Sequence, residues 1–254
     1  MDKSMDVAER IIVALDTSPE QSLLLAEQLQ GKATWLKVGM TLYYEAGPAI
    51  VAALKEKGYK IFVDLKLHDI PHQVRGAARS VAVAGADMLT VHASGGADMM
   101  QAACWGAELG YKARKATSLD SDEHQSVKRP LCLAVTVLTS LDTRVLEAIG
   151  VNSDMTTQAL RLAQLAKGAG MDGVVCSPVE TEIIRREMGP EFALVTPGVR
   201  PVGADLGDQA RVATPASALV AGADYLVIGR PITEAVDPRA AFEAIVSEMQ
   251  LSAS

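Results

Sequence analysis

The sequence predicts a single (β/α)8 (TIM) barrel spanning residues 1–254. Three observations lead there. Eight short apolar runs alternate with eight amphipathic stretches over 254 residues, a usual length for that barrel. Hydrophobic residues make up 49% of the chain and aromatics only 4%, so Ala, Val, Leu and Ile must build the core, as in parallel sheets covered by helices. The phrases "AGAD", "GAGMDG" and "AGAD" precede the fourth, sixth and eighth runs, as though one helix-to-strand turn were reused. An open doubly wound sheet is the runner-up, but "IIVALDTSPE" lacks the glycine-rich loop which that fold usually places after its first strand.

In chain order, "IIVAL" (11–15) is the first strand, followed by an amphipathic stretch at 19–30. "TWLKV" (34–38) leads into 45–57, and "KIFVDLK" (60–66) into 71–84, where Pro71 suits a first helical turn. "DMLTVH" (87–92) precedes the helical pattern 96–109. The polar stretch 111–129 has mixed charge and no periodicity, and is expected to be a solvated excursion. "LCLAVTVL" (131–138), "DGVVC" (172–176), "FALVTP" (192–197) and "DYLVIG" (224–229) then alternate with 155–168, 178–188, 214–221 and 237–249. In the repeated turn, glycine ends a helix and aspartate opens the next strand.

Net charge of −7 argues against a general nucleic-acid binder, though not against a local basic pocket for a small anion. Cys104, Cys132 and Cys176 are isolated in apolar runs and read as reduced thiols of a cytoplasmic protein. "MDKSMDVAER" has no signal-peptide core, and no run reaches the ~18 apolar residues of a membrane span.

A barrel of this kind carries its functional groups at the C-terminal ends of the strands. Polar residues collect there: Asp16, Lys37, Asp64 with Lys66, His92, Thr139, Ser177, Arg200 and Arg230, in strand order. Asp64 and Lys66 are two apart, so both face the barrel axis. Asp69 follows the strand, just before Ile70 and Pro71. The plain reading is a buried ion pair with Asp69 capping a helix. Lys37 and Asp16 shift the balance, since an ion pair alone needs no alternating array of charges. "TPGVRP" (196–201) and "VIGRPIT" (227–233) set glycine beside arginine on the last two loops, which often bind phosphate in barrels. His68, His72 and His92 fit no ligand spacing, and no catalytic metal is expected.

These segments resemble the orotidine 5'-phosphate decarboxylase family over nearly the whole chain. The resemblance runs through "VALD", "LKVG", "DLKLHDIP", "VLTS", "CSPVE", "TPGVRP", "GDQARVATP" and "VIGRPIT". The D-x-K-x-x-D core alone is shared with related phosphosugar barrels, but the combination in this order is far more specific. The resemblance implies conversion of orotidine 5'-monophosphate to UMP with no cofactor, in a homodimer with shared sites. Lys66 would protonate C6, flanked by Asp64 and by Asp69 of the neighbouring chain, with Lys37 completing the array. Asp16 and Lys37 would contact the ribose, and Thr139 and Ser177 the base. Gln209, Gly229, Arg230 and Arg200 would hold pyrimidine and phosphate, with Ile70, Gln73 and Pro197 also at the ligand. One departure is His72-Gln73, where the family commonly has Asn-Thr; Gln73 must then supply that contact by its amide or lose it.

A metal-dependent phosphosugar decarboxylase or epimerase of the same barrel group would share the D-x-K-x-x-D core and the final Gly-Arg. "HDIP", "VLTS" and "DQARVATP" count against it. A silent barrel that only senses a nucleotide would not need both Asp64 and Lys66, and both are present.

Overall fold

The computed structural model describes residues 6–117, 128–201 and 213–251. Eight parallel strands close in chain order: β1 (Ile11–Leu15), β2 (Trp35–Gly39), β3 (Lys60–Leu67), β4 (Met88–His92), β5 (Leu131–Val135), β6 (Gly173–Val175), β7 (Ala193–Thr196) and β8 (Tyr225–Ile228). Around them lie α1 (Pro19–Gln28), α2 (Met40–Ala46), α3 (Ala49–Glu56), α4 (Pro71–Ala84), α5 (Ala97–Thr117) and α6 (Thr143–Ala148). The ring continues through α7 (Met155–Gly168), α8 (Pro178–Met188), α9 (Pro215–Val220), α10 (Arg230–Thr233) and α11 (Pro238–Leu251).

Period-two alternation divides each strand between two cores. Ile12, Phe62, Met88, Leu133, Val195 and Val227 fill the barrel interior, and Trp35 meets Tyr225 edge-on there with ring centroids 5.7 Å apart. The intervening residues, such as Ile11, Val13, Leu36, Ile61 and Leu89, pack outward beneath the helices. Burial on both faces is why the strands read as continuous apolar runs.

The repeated turn has one role at all three places. Gly85, Gly170 and Gly222 adopt φ of +106°, +80° and +101° and let the chain leave a helix. The aspartate that follows accepts a backbone N–H from the preceding strand: Ile61 to Asp87 at 2.7 Å, Cys132 to Asp172 at 2.7 Å, Leu194 to Asp224 at 2.8 Å. Each carboxylate also pairs with a cation, Lys55, Arg129 or Arg185 respectively. The N-terminal face of the barrel is thus pinned strand to strand.

Several boundaries differ from the sequence reading. The stretch 45–57 holds the end of one helix and the whole of another, because Gly47 at φ +69° and Pro48 break it. Residues 111–117 belong to α5, where Glu108 and Lys112 form an i,i+4 ion pair at 3.1 Å. The rest of that polar stretch, 118–127, lies outside the described residues. β5 ends at Val135, since Thr136 turns to donate its N–H and hydroxyl to the Val175 carbonyl, both at 3.1 Å. Helix α6, capped by Asp142, was not anticipated.

Candidate active site

The inward positions of β1, β2 and β3 are apolar deep in the barrel and charged at its mouth. Lys37 is buried, with its Nζ 3.0 Å from Asp16 and 3.8 Å from Asp64 Oδ2. The same Oδ2 lies 2.8 Å from Lys66 Nζ. Charge therefore alternates along Asp16, Lys37, Asp64 and Lys66. Gly39 makes room for it: a Cβ there would sit 2.8 Å from Asp16 Oδ1 and 3.1 Å from Lys37 Nζ.

Asp64 is buried, and burial by itself would push its carboxyl up. The Lys37 and Lys66 ammoniums, with hydrogen bonds from Lys66 and Thr90, outweigh that and leave it below the usual carboxylate range.

Asp64 and Lys66 both face the interior, but the strand between them is irregular. From Val63 to Leu67 β3 advances four residues while β4 advances two, from Leu89 to Val91. Lys66 takes φ of +52°, the one positive value among the described non-glycine residues. Its N–H, out of the ladder, donates to the Thr90 hydroxyl at 2.9 Å. His92, the next inward residue of β4, stacks near His68 with centroids 5.6 Å apart; burial, then His68 and Lys66, draw its imidazole below the usual value.

Above this array lies a cavity of about 450 Å³. Asp16, Lys37, Asp64 and Lys66 line one side, and Phe62, Val135, Val175 and Val227 give it an apolar floor. Thr139, Pro197, Arg200, Gly229 and Arg230 complete the wall. The charged groups come from the first three strands and the two arginines from the last two. The site can hold a flat, partly apolar group against the ammonium while the arginines take an anion. Among the described residues, no group of three or more His, Cys, Asp or Glu is placed to share a metal ion.

Four of the sequence candidates sit elsewhere. Ser177 is fully buried and caps α8 in a reciprocal box with Glu180, so Cys176 and not Ser177 lines the cavity. Burial pushes the Cys176 thiol up to about 12. Asp69, Ile70 and Gln73 are exposed and lie outside the cavity lining; Asp69 accepts the N–H of Ile70 at 2.6 Å and does not cap the helix. Gln209 lies outside the described residues.

Residues 9–245 match the family described as Orotidine 5'-phosphate decarboxylase / HUMPS. The chain belongs to that family. The orotidine 5'-phosphate decarboxylase of Moorella thermoacetica is 48% identical over 252 residues, covering 97% of this chain and 94% of its own length. That of Pasteurella multocida is 43% identical over 247 residues, covering 97% of this chain and all of its own. The crystal structure of the Lactobacillus acidophilus orotidine 5'-phosphate decarboxylase aligns with a TM-score of 0.81 at 40% identity, over 95% of this chain and 99% of that one.

In this member of the decarboxylase / HUMPS family, Thr90 and Gly39 bear on the site without having been singled out in the sequence. Threonine is unremarkable in a strand, whereas glycine at a strand end can mark a close approach, and Gly39 closes the quoted "LKVG". The inward period of β4, Met88–Thr90–His92, was the signal that could have drawn notice to Thr90.

Proposed function

We propose that the chain is an orotidine 5'-phosphate decarboxylase of pyrimidine biosynthesis, converting orotidine 5'-monophosphate to UMP without a cofactor. Lys66 carries the reading: an ammonium 2.8 Å from a buried carboxylate, at a cavity that also presents two arginines. Loss of CO2 leaves the bonding pair on C6 of the pyrimidine, where no adjacent carbonyl delocalises it. Lys66 Nζ stabilises that charge and passes its proton to C6; solvent then reprotonates the amine. Asp64 aims the ammonium and fixes it before the charge develops.

Asp16 and Lys37 contact the ribose hydroxyls in this reading. Thr139 and Pro197 face the base, with Gln209 assigned beside them by family resemblance. Arg200, Gly229 and Arg230 take the phosphate, whose binding energy from far off the reacting carbon helps orient it. Asp69, with Ile70 and Gln73, serves the site of a second copy, which fits their exposure and their absence from the cavity lining of their own chain. A cytoplasmic setting agrees with three free thiols.

The test is direct. Purified protein mixed with orotidylate should show the loss of its pyrimidine absorbance at the same rate with and without EDTA. No turnover sinks the assignment. Turnover lost to chelator and restored by Mg2+ or Mn2+ would favour the metal-dependent alternative.

A further inference from the structure

Thr90 stands at the one place where the reacting strand leaves regular geometry. It is buried, 1% exposed, and projects inward from β4. Its single hydroxyl accepts the N–H of Lys66 at 2.9 Å and donates to Asp64 Oδ1 at 2.9 Å. A hydroxyl can do both at once, because it has one proton to give and two lone pairs to receive. The isosteric valine can do neither.

Two unfavourable features of the site meet in that atom. Lys66 holds a left-handed backbone, which side chains rarely adopt, and the bulge in β3 takes its N–H out of the strand ladder. Asp64 is a buried carboxylate whose Oδ2 must serve Lys66 at 2.8 Å and Lys37 at 3.8 Å. The Thr90 proton on Oδ1 sets the plane of the carboxylate, and so which oxygen faces the two ammoniums.

We propose that Thr90 is a positioning residue for proton delivery, locking the Lys66 backbone turn and the Asp64 carboxylate together so that Lys66 Nζ is aimed at the reacting carbon. This rests on the decarboxylase reading given above. Thr90 lies outside the cavity lining, so its loss should appear in the chemical step and not in binding.

In purified Thr90→Val, kcat for orotidylate should fall roughly 10- to 100-fold, the range that one charge-assisted hydrogen bond represents, while KM changes less than about threefold. The acid limb of kcat/KM should move to higher pH, because Asp64 loses one of the bonds that hold its carboxyl low. Thr90→Ser, which keeps the hydroxyl, should restore both. If Thr90→Val does not fold, Thr90→Ala carries the same comparison against Thr90→Ser. Near-native kcat with an unmoved acid limb in the variant lacking the hydroxyl would overturn the proposal, as would a serine variant no better than the valine or alanine one. Carboxyl NMR titration of Asp64 separates this proposal from the activity it rests on. A wild type that turns over no orotidylate defeats the decarboxylase reading. An Asp64 titration unchanged by loss of the hydroxyl defeats the role of Thr90.

Discussion

Replacing Lys66 by alanine removes the ammonium that faces the cavity but leaves Asp64 held by Lys37 and by the Thr90 hydroxyl. Lys66→Ala should therefore fold, with native circular dichroism, while orotidylate turnover falls roughly 1000-fold, within the range of a lost general acid. Near-native turnover would remove Lys66 from the mechanism. Arg230 is exposed at the rim, so Arg230→Ala should weaken UMP by roughly 10- to 100-fold and uridine hardly at all, read by calorimetry. An equal loss for both ligands would move Arg230 away from the phosphate. Asp64 also links stability to pH. Its folded carboxyl lies below the unfolded value of ~3.9, so its contribution is complete above that value and is lost as pH falls through the lower folded one. The melting temperature of wild type should thus drop more steeply below about pH 4 than that of Asp64→Asn. At this scale the facing of Asp64 and Lys66 was legible, because strand alternation fixes it. The left-handed turn at Lys66 was not, since a lysine gives no local sign of positive φ. Ser177 was read as a mouth residue although "SPVE" spells a capping box, whose spacing could have placed it in the helix start.

Helix α4 follows the reacting segment and packs on α5, and small residues set how closely the two approach. A Cβ on Gly106 would lie 2.2 Å from the Arg75 carbonyl oxygen, and one on Gly110 2.5 Å from that of Arg79. Both obstacles are backbone, so Gly106→Ala must push the helices apart. Overpacking of this kind costs about 1–3 kcal/mol, which for a chain of this size lowers the melting temperature by about 2–12 °C. Gly76, within α4, supplies the control. A Cβ there meets nothing within 4 Å, and alanine favours helix over glycine by about 1 kcal/mol. Gly76→Ala should leave stability unchanged or raise it. Equal melting temperatures for the two variants would mean that the close approach carries no strain. The sequence located all eight strands because each is apolar on both faces and short. It misplaced the end of α5 because Lys112, Arg114 and Lys115 crowd the last turns, which interrupts the apolar stripe by which a helix is recognised.

The barrel as a single chain presents Lys66 and Asp64 to its cavity but leaves Asp69 outside the lining. Next to Asp69, Ile70 is 64% exposed; beyond the adjacent strand β2, Met40 and Tyr44 are 48% and 74% exposed. Exposed large apolar side chains in the segments that follow β2 and β3 suit burial against another protein surface. A two-fold dimer would bury them and carry Asp69 into the neighbouring cavity, giving two sites that each draw Lys66 from one chain and Asp69 from the other. Such sharing has a consequence that no site within one chain can imitate. Lys66→Ala and Asp69→Ala, each severely impaired alone, should complement one another. In a mixed dimer one site gathers both defects and the other neither. Random assortment of equal amounts makes about half the dimers mixed, so about a quarter of native sites should return by this symmetry count. Co-expression with two different tags, followed by sequential capture, isolates the mixed dimers, in which about half of native activity per dimer is expected by the same count. Mixed dimers no more active than either parent would place Asp69 in the service of its own chain.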